Sequence, residues 1–213
     1  MITVKSFTFN PFSENSYILS DETKACIIID PGCFNESERN VLDSYISNEG
    51  LSPSRLINTH CHIDHVLGNK HVANKYGLGL EMHEKDMPLL NAVEISSTMY
   101  GVPYERSPEP SRFIEEGEQI SFGNSSLEVL FVPGHAPGHI ALVSHAQKFV
   151  ISGDVLFRQS IGRVDLPGGN YDVLMQSITQ KLFKLGDDYT VYSGHGPETT
   201  IGYEKKNNPF LQV

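Results

Sequence analysis

Thr59-His60-Cys61-His62-Ile63-Asp64-His65 is the stretch on which the reading of this sequence turns. His60, His62 and Asp64 are spaced two apart, so an extended loop points all three the same way. His65 then falls where the next helix is expected to begin. Imidazole nitrogen and carboxylate oxygen are donors that zinc prefers. No packing or capping role asks for three imidazoles in so short a run.

Working outward, three more side chains of the same chemistry stand in comparable local settings. His135 follows the apolar run Leu127–Val132 through Pro133-Gly134. Asp154 follows Phe149–Ile151 through Ser152-Gly153, and His195 follows Tyr189–Tyr192 through Ser193-Gly194. Each time an apolar strand ends, a glycine turns the chain and a ligand-type residue appears. Strand ends are where sheet scaffolds present polar groups from loops, so four of them are expected to bring their residues to one cleft. A histidine or aspartate alone at such a turn would read as an ordinary turn or cap residue; the cluster at 60–65 gives the others their meaning. Of the remaining histidines, His139 is expected to support its loop, and His71, His83 and His145 are not expected to bind metal.

The rest of the chain reads as alternating strands and helices in two halves. Strands are expected at Ile2–Phe9, Ser16–Leu19, Ala25–Ile29, Arg55–Asn58 and Leu78–Met82. Helices are expected at Glu36–Asn48, Val66–Tyr76 and Glu84–Met99. The proline-rich stretch Gly101 to Arg112 reads as the connecting loop. Strands then follow at Gln119–Phe122, Leu127–Phe131, Ile140–Ser144, Lys148–Ile151 and Tyr189–Ser193, with a helix at Tyr171–Leu185. The expectation is a mixed α/β chain forming a single domain over 1–213, with halves of about 1–100 and 113–213, two sheets packed face to face and helices outside.

Composition narrows the partners. Twenty-six acidic against 16 basic residues give a net charge of −10, a poor match for nucleic acid, whose phosphates are held by clustered Lys and Arg. No stretch approaches the ~18 uninterrupted apolar residues of a membrane span, and the first ten residues lack the apolar run of a signal peptide. A cytoplasmic protein is expected, with no membrane and no nucleic-acid partner. Three cysteines, Cys26, Cys33 and Cys61, form no even framework and suit a reducing compartment. They are expected to be small buried residues, although Cys61 lies between two of the candidate ligands.

Together, Thr59 to His65, Val132-Pro133-Gly134-His135, Ser152-Gly153-Asp154 and Ser193-Gly194-His195 resemble the ligand motifs of the metallo-β-lactamase fold superfamily. Within it, Gly162-Arg163-Val164-Asp165-Leu166-Pro167-Gly168-Gly169 and the stretch from Gly194 to Phe210 resemble small glyoxalase II-like hydrolases. The resemblance implies an αββα sandwich with the site at one edge of its two sheets. It also implies two divalent metal ions, zinc before iron or manganese. His60, His62 and His135 would hold one ion and Asp64, His65 and His195 the other, with Asp154 bridging both. Asp64 and Asp154 would serve catalysis as well as binding, and Arg163 would contact a substrate carboxylate. The implied reaction is thioester hydrolysis by attack of a metal-bridging hydroxide, on a small-molecule acyl-thioester or ester.

The chain departs from the larger glyoxalase II enzymes in two places. Residues 196–213 are too few for a C-terminal helical glutathione-binding domain, so none is expected, and Gly196-Pro197 stands where those enzymes carry a substrate-contacting tyrosine. Aspartate at 154 separates the chain from the β-lactamases with a cysteine ligand there. Lactone hydrolysis, persulfide oxidation on a single iron and a non-enzymatic metal-stabilised binding module are the alternatives to thioester cleavage.

Overall fold

Strand pairing begins with the first residues and follows sequence order through the first half of the computed structural model, which describes residues 1–211. β1 (Thr3–Phe9) pairs antiparallel with β2 (Glu14–Ser20), and β2 with β3 (Ala25–Ile29). The chain then crosses over through α1 (Glu36–Asn48) to β4 (Ser52–Ile57), parallel to β3. A short turn, α2 (Ile63–Val66), and α3 (Asn69–Tyr76) lead to β5 (Leu80–Met82), and α4 (Met87–Tyr100) leads to β6 (Pro110–Phe113). Both strands add in parallel. The change from hairpins to helical crossovers at β3 is written in the side chains. Ile27, Ile28 and Ile29 are all fully buried, as befits a strand covered on both faces. On α1, Leu42 and Ile46 are buried four apart while Val41 is half exposed, and the Asn35 side chain caps the helix by accepting from the Glu38 amide. Leu42 joins Ile18, Ile28, Leu56, Val72 and Leu80 in one apolar cluster.

The second sheet has the order β14-β13-β10-β9-β8-β7. Its members are β7 (Gln119–Phe122), β8 (Ser125–Phe131), β9 (Ile140–Ser144), β10 (Phe149–Gly153), β13 (Thr190–Ser193) and β14 (Thr199–Thr200). β10 and β13 are parallel, so both chains run toward the same edge. Between them lie a two-strand ribbon, β11 (Leu156–Phe157) with β12 (Ser160–Ile161), and α5 (Tyr171–Gln176). The chain closes with α6 (Ile201–Asn207). Leu174, Ile178 and Leu182 project from the helical segment into a cluster with Val132, Val143, Val150, Val191 and Ile201. Residues 1–114 with 121–126 form one compact unit, and residues 115–120 with those from 127 onward form a second. Among the described residues no helix is long and apolar enough to cross a membrane.

Several element boundaries differ from the sequence reading. β4 starts at Ser52 rather than Arg55, because a register shift between Cys26 and Ile27 lets Pro53 join the ladder; proline is tolerated at such irregularities. The helix expected over Val66–Tyr76 is two pieces, α2 and α3, so Asp64 lies inside a helical turn rather than on an extended loop. The helix expected at Glu84 begins as a single 3₁₀ turn, Glu84–Asp86, before α4. The loop expected over Gly101 to Arg112 gives way to strand at Pro110. The helix expected over Tyr171–Leu185 passes from α form through a π segment, Ser177–Lys181, to a 3₁₀ turn.

Candidate functional site

Each unit carries its own cluster of histidine and carboxylate. In the first, β4 ends at Ile57 and delivers Asn58 and Thr59 to a loop of buried polar residues. His60 and His62 stand with ring centroids 4.8 Å apart at 90°, and the His60 and His65 rings are 4.1 Å apart. His62 occupies the N-cap position of α2, and Asp64 and His65 follow within its first turn. Asp64 Oδ2 lies 3.6 Å from His65 Nε2.

The loop is held from several sides by residues that its own sequence does not announce. Asp30, at the end of β3, accepts from the Thr59 amide at 2.7 Å and from the Thr59 hydroxyl at 2.5 Å. Its Oδ2 also accepts from Nδ1 of His65 at 3.2 Å. Asp30 is buried with φ of 48°, a left-handed conformation that aspartate tolerates better than most residues. Asn58 donates to the carbonyl of His65, and Asn10 donates to the carbonyls of Asp64 and Gly32. Asp86 accepts from the amide of Cys61 at 2.7 Å. Glu14 lies fully buried with Oε1 3.8 Å from His65 Nδ1; burial pushes its carboxyl well above the ordinary range, against the opposing pull of His65. Asp30 escaped the sequence pattern because it directly follows its apolar strand and precedes the turn at Pro31-Gly32, whereas His135, Asp154 and His195 each follow a glycine.

In the second unit, His135, Asp154 and His195 come together from the ends of β8, β10 and β13. One carboxylate oxygen, Asp154 Oδ2, stands 3.5 Å from Nε2 of His135 and 3.5 Å from Nε2 of His195. The His135 Nδ1–H donates to the carbonyl of Arg163 at 2.8 Å, which leaves the Nε2 lone pair available. His139 Nε2 accepts the Asp154 amide at 3.0 Å, and the Gly194 amide donates to the carbonyl of Gly153, tying two strand ends together. The glycine before His135 is required by space as well as by conformation. Gly134 has φ of +127°, and a Cβ there would meet the Leu174 backbone nitrogen at 2.2 Å.

Arg163 supplies its carbonyl to His135, while its guanidinium forms a two-pronged pair with Asp165, both bonds 2.7 Å. The other histidines are occupied elsewhere. His71 pairs with Asp43, His83 Nδ1 accepts the Lys85 amide, and His145 bridges Tyr189 and Glu128. All three cysteines are free and buried. Burial raises the Cys61 thiol far above its ordinary range, which removes the thiolate that reactivity needs.

The donor sets suit a metal ion. Two ligands of a tetrahedral zinc at about 2.1 Å stand about 3.4 Å apart. The carboxylate–imidazole separations of 3.5, 3.5 and 3.6 Å match that spacing and are longer than hydrogen bonds. A carboxylate or carbonyl partner on Nδ1, as His65 and His135 have, is also the usual company of a metal-binding histidine.

Comparison with known proteins agrees. The sequence profile of the metallo-β-lactamase superfamily matches residues 9–195, a span that includes all seven candidate ligands. Hydroxyacylglutathione hydrolase GloC of Haemophilus influenzae is 39% identical over 202 residues, covering 94% of this chain and 93% of that one. Among solved structures, the BLEG-1 B3 metallo-β-lactamase superimposes with a TM-score of 0.91 at 33% identity, over 99% of this chain and 100% of its own. TTHA1623, solved in a di-iron-bound form, gives 0.88 at 36% identity, over 97% and 100%. The αββα fold class expected from the sequence is the one these structures share, and the chain is a metallo-hydrolase belonging to the metallo-β-lactamase superfamily.

Proposed function

We propose that this protein hydrolyses small acyl-thioesters with two divalent metal ions, zinc before iron or manganese. His60, His62 and His135 would hold one ion and Asp64, His65 and His195 the other, with Asp154 shared between them. The observation that carries this reading is the position of Asp154 Oδ2, the same distance from two imidazole nitrogens, as a shared ligand requires. The superfamily profile spans residues 9–195 and so takes in every one of these residues. The di-iron form of TTHA1623 supports a pair of ions and keeps iron among the candidates.

Bound divalent ions would supply Lewis acidity, making water nucleophilic near pH 7 and drawing charge from a carbonyl oxygen. The protein's own part is to fix the donors. Asp30 and the Arg163 carbonyl set the tautomers of His65 and His135, and the His139 ring holds the Asp154 backbone. Asp64 would hold the proton of the attacking water at its carboxylate. Arg163 would take a substrate carboxylate in its fork once Asp165 releases it. A thioester suits this machinery because a thiolate, from a thiol of pKa about 8.5, leaves without a proton donor, whereas an amide nitrogen needs one. The hydroxyacylglutathione hydrolase relative at 39% identity points to the same bond.

The test is metal quantification on the purified full chain together with a substrate panel of thioesters, lactones, β-lactams and, with oxygen uptake, persulfides. Two equivalents of metal and preferred turnover of thioesters are expected. A single equivalent of iron with oxygen consumption on a persulfide, or preferred turnover of lactones or β-lactams, would replace this reading.

A further inference from the structure

Asp86 is a fully buried carboxylate in a position that would ordinarily explain it. It immediately precedes α4, where aspartate is favoured when an extended backbone lets its side chain accept from the exposed amides of the first turn, but Asp86 closes the preceding 3₁₀ turn with helical φ of −90° and ψ of −1°. Asp86 makes no such cap bond. The helix has less need of one, since the second residue of α4 is Pro88, which has no N–H to satisfy. The 3₁₀ turn before it is capped separately by His83, whose Nδ1 accepts from Lys85. The Asp86 side chain instead reaches 25 residues back along the chain and accepts from the Cys61 amide at 2.7 Å. Met82, at the end of β5, backs the same residue, with its sulfur 3.5 Å from Cys61 Sγ.

The recipient of that bond matters. Cys61 is the residue between His60 and His62, and two positions earlier the Thr59 amide is held in the same way by Asp30. Two buried carboxylates from different elements thus fix alternate amides of a three-residue span. The backbone on either side of His60 is therefore held by side chains from outside the loop.

We propose that Asp86 is a positioning residue for the metal, gripping the peptide between the two histidines so that their rings keep the perpendicular arrangement seen here. The proposal rests on reading His60 and His62 as metal ligands. Its consequence is that Asp86 contributes to metal affinity rather than to the helix that follows it.

The test separates those two contributions. Asp86→Ser is one atom too short for the Cys61 amide, and Asp86→Asn retains an oxygen that reaches it. Zinc affinity of the full chain is measured by competition with a chromogenic chelator, the cobalt-substituted protein is examined by visible absorption, and each metal-free variant is melted. Asp86→Ser is expected to melt close to the wild type yet bind zinc 10- to 100-fold more weakly, the range for groups supporting metal ligands, with an altered cobalt spectrum. Asp86→Asn is expected to recover most of the affinity. Asp43→Ala, which severs Asp43 from Lys75 and Tyr76, is the control that lowers melting temperature without changing zinc affinity. Zinc affinity of Asp86→Ser within twofold of wild type, with an unchanged cobalt spectrum, overturns the proposal, as does failure of Asp86→Asn to recover. A wild type that binds no zinc or cobalt would instead remove the ligand reading beneath it.

Discussion

Asp30 Oδ2 lies 3.2 Å from Nδ1 of His65, although 35 residues separate them in the chain. The bond sets the imidazole tautomer, with the proton on Nδ1 and the lone pair on Nε2. The same carboxylate anchors Thr59 through its amide and hydroxyl, so one side chain orients both ends of the run from Thr59 to His65. Asp30→Ala should weaken metal binding 10- to 100-fold, with a parallel loss of kcat at subsaturating metal. Chelator competition checks it. Unchanged affinity in a folded variant would mean that His65 does not depend on Asp30.

Asp154 is the residue whose removal should be least tolerated. Its Oδ2 is shared between His135 and His195, so no other oxygen in that cluster can stand in for it. Asp154→Ala and His60→Ala are expected to abolish metal-dependent thioester hydrolysis while keeping the circular dichroism of the wild type. Metal analysis should show fewer bound equivalents in both. Retained turnover in either folded, metal-analysed variant would falsify the hydrolase reading.

The candidate ligands were legible in the sequence because each is announced locally, by an apolar run and a glycine or by the density of His60 to His65. Their supports were not. Nothing local in the sequence marks Asp86 or Asn10; only tertiary structure reveals that they reach the Cys61 amide and the Asp64 carbonyl. The strands followed the same division. Ile27-Ile28-Ile29 declares a buried strand by composition alone, whereas β6 begins at Pro110, a residue that argues against strand until an edge position is known. α6 went unread because its seven residues hold only one turn's worth of apolar signal. Its stability lies in Glu204, fully buried and bonded to Thr199, Asn208 and the Gln159 amide.

The Arg163–Asp165 pair sets the expected response to substrate charge. Both side chains are more than half exposed, and exposed pairs contribute only about 0–1 kcal/mol, so an incoming carboxylate can displace Asp165. Asp165→Asn should lower KM for carboxylate-bearing thioesters a few-fold. Arg163→Ala should raise it about tenfold or more, the loss of a charged hydrogen-bond pair, with kcat nearly unchanged because the contact is equal in ground and transition states. Neutral thioesters should respond to neither. Equal effects on neutral and anionic substrates would assign Arg163 to holding the loop around His135 alone.

Acid stability should depend on a carboxylate remote in sequence from what it holds. Burial pushes the Asp21 carboxyl upward, but bonds from the Thr23 hydroxyl and amide, the Asn124 amide and the Ser125 hydroxyl overcome this and bring it down to about 2. An unfolded aspartate titrates near 3.9, so between those values the unfolded chain binds the extra proton. The stabilisation is therefore complete above about pH 4 and is lost as pH falls from there through about 2. Asp21→Asn should cost on the order of 1–2 kcal/mol at neutral pH, and the deficit should shrink steadily below pH 4. Urea unfolding of both proteins from pH 7 to pH 2 measures this directly. Parallel stability curves, with a constant gap down to pH 2, would show that the Asp21 charge contributes nothing to holding the turn at residues 123–125.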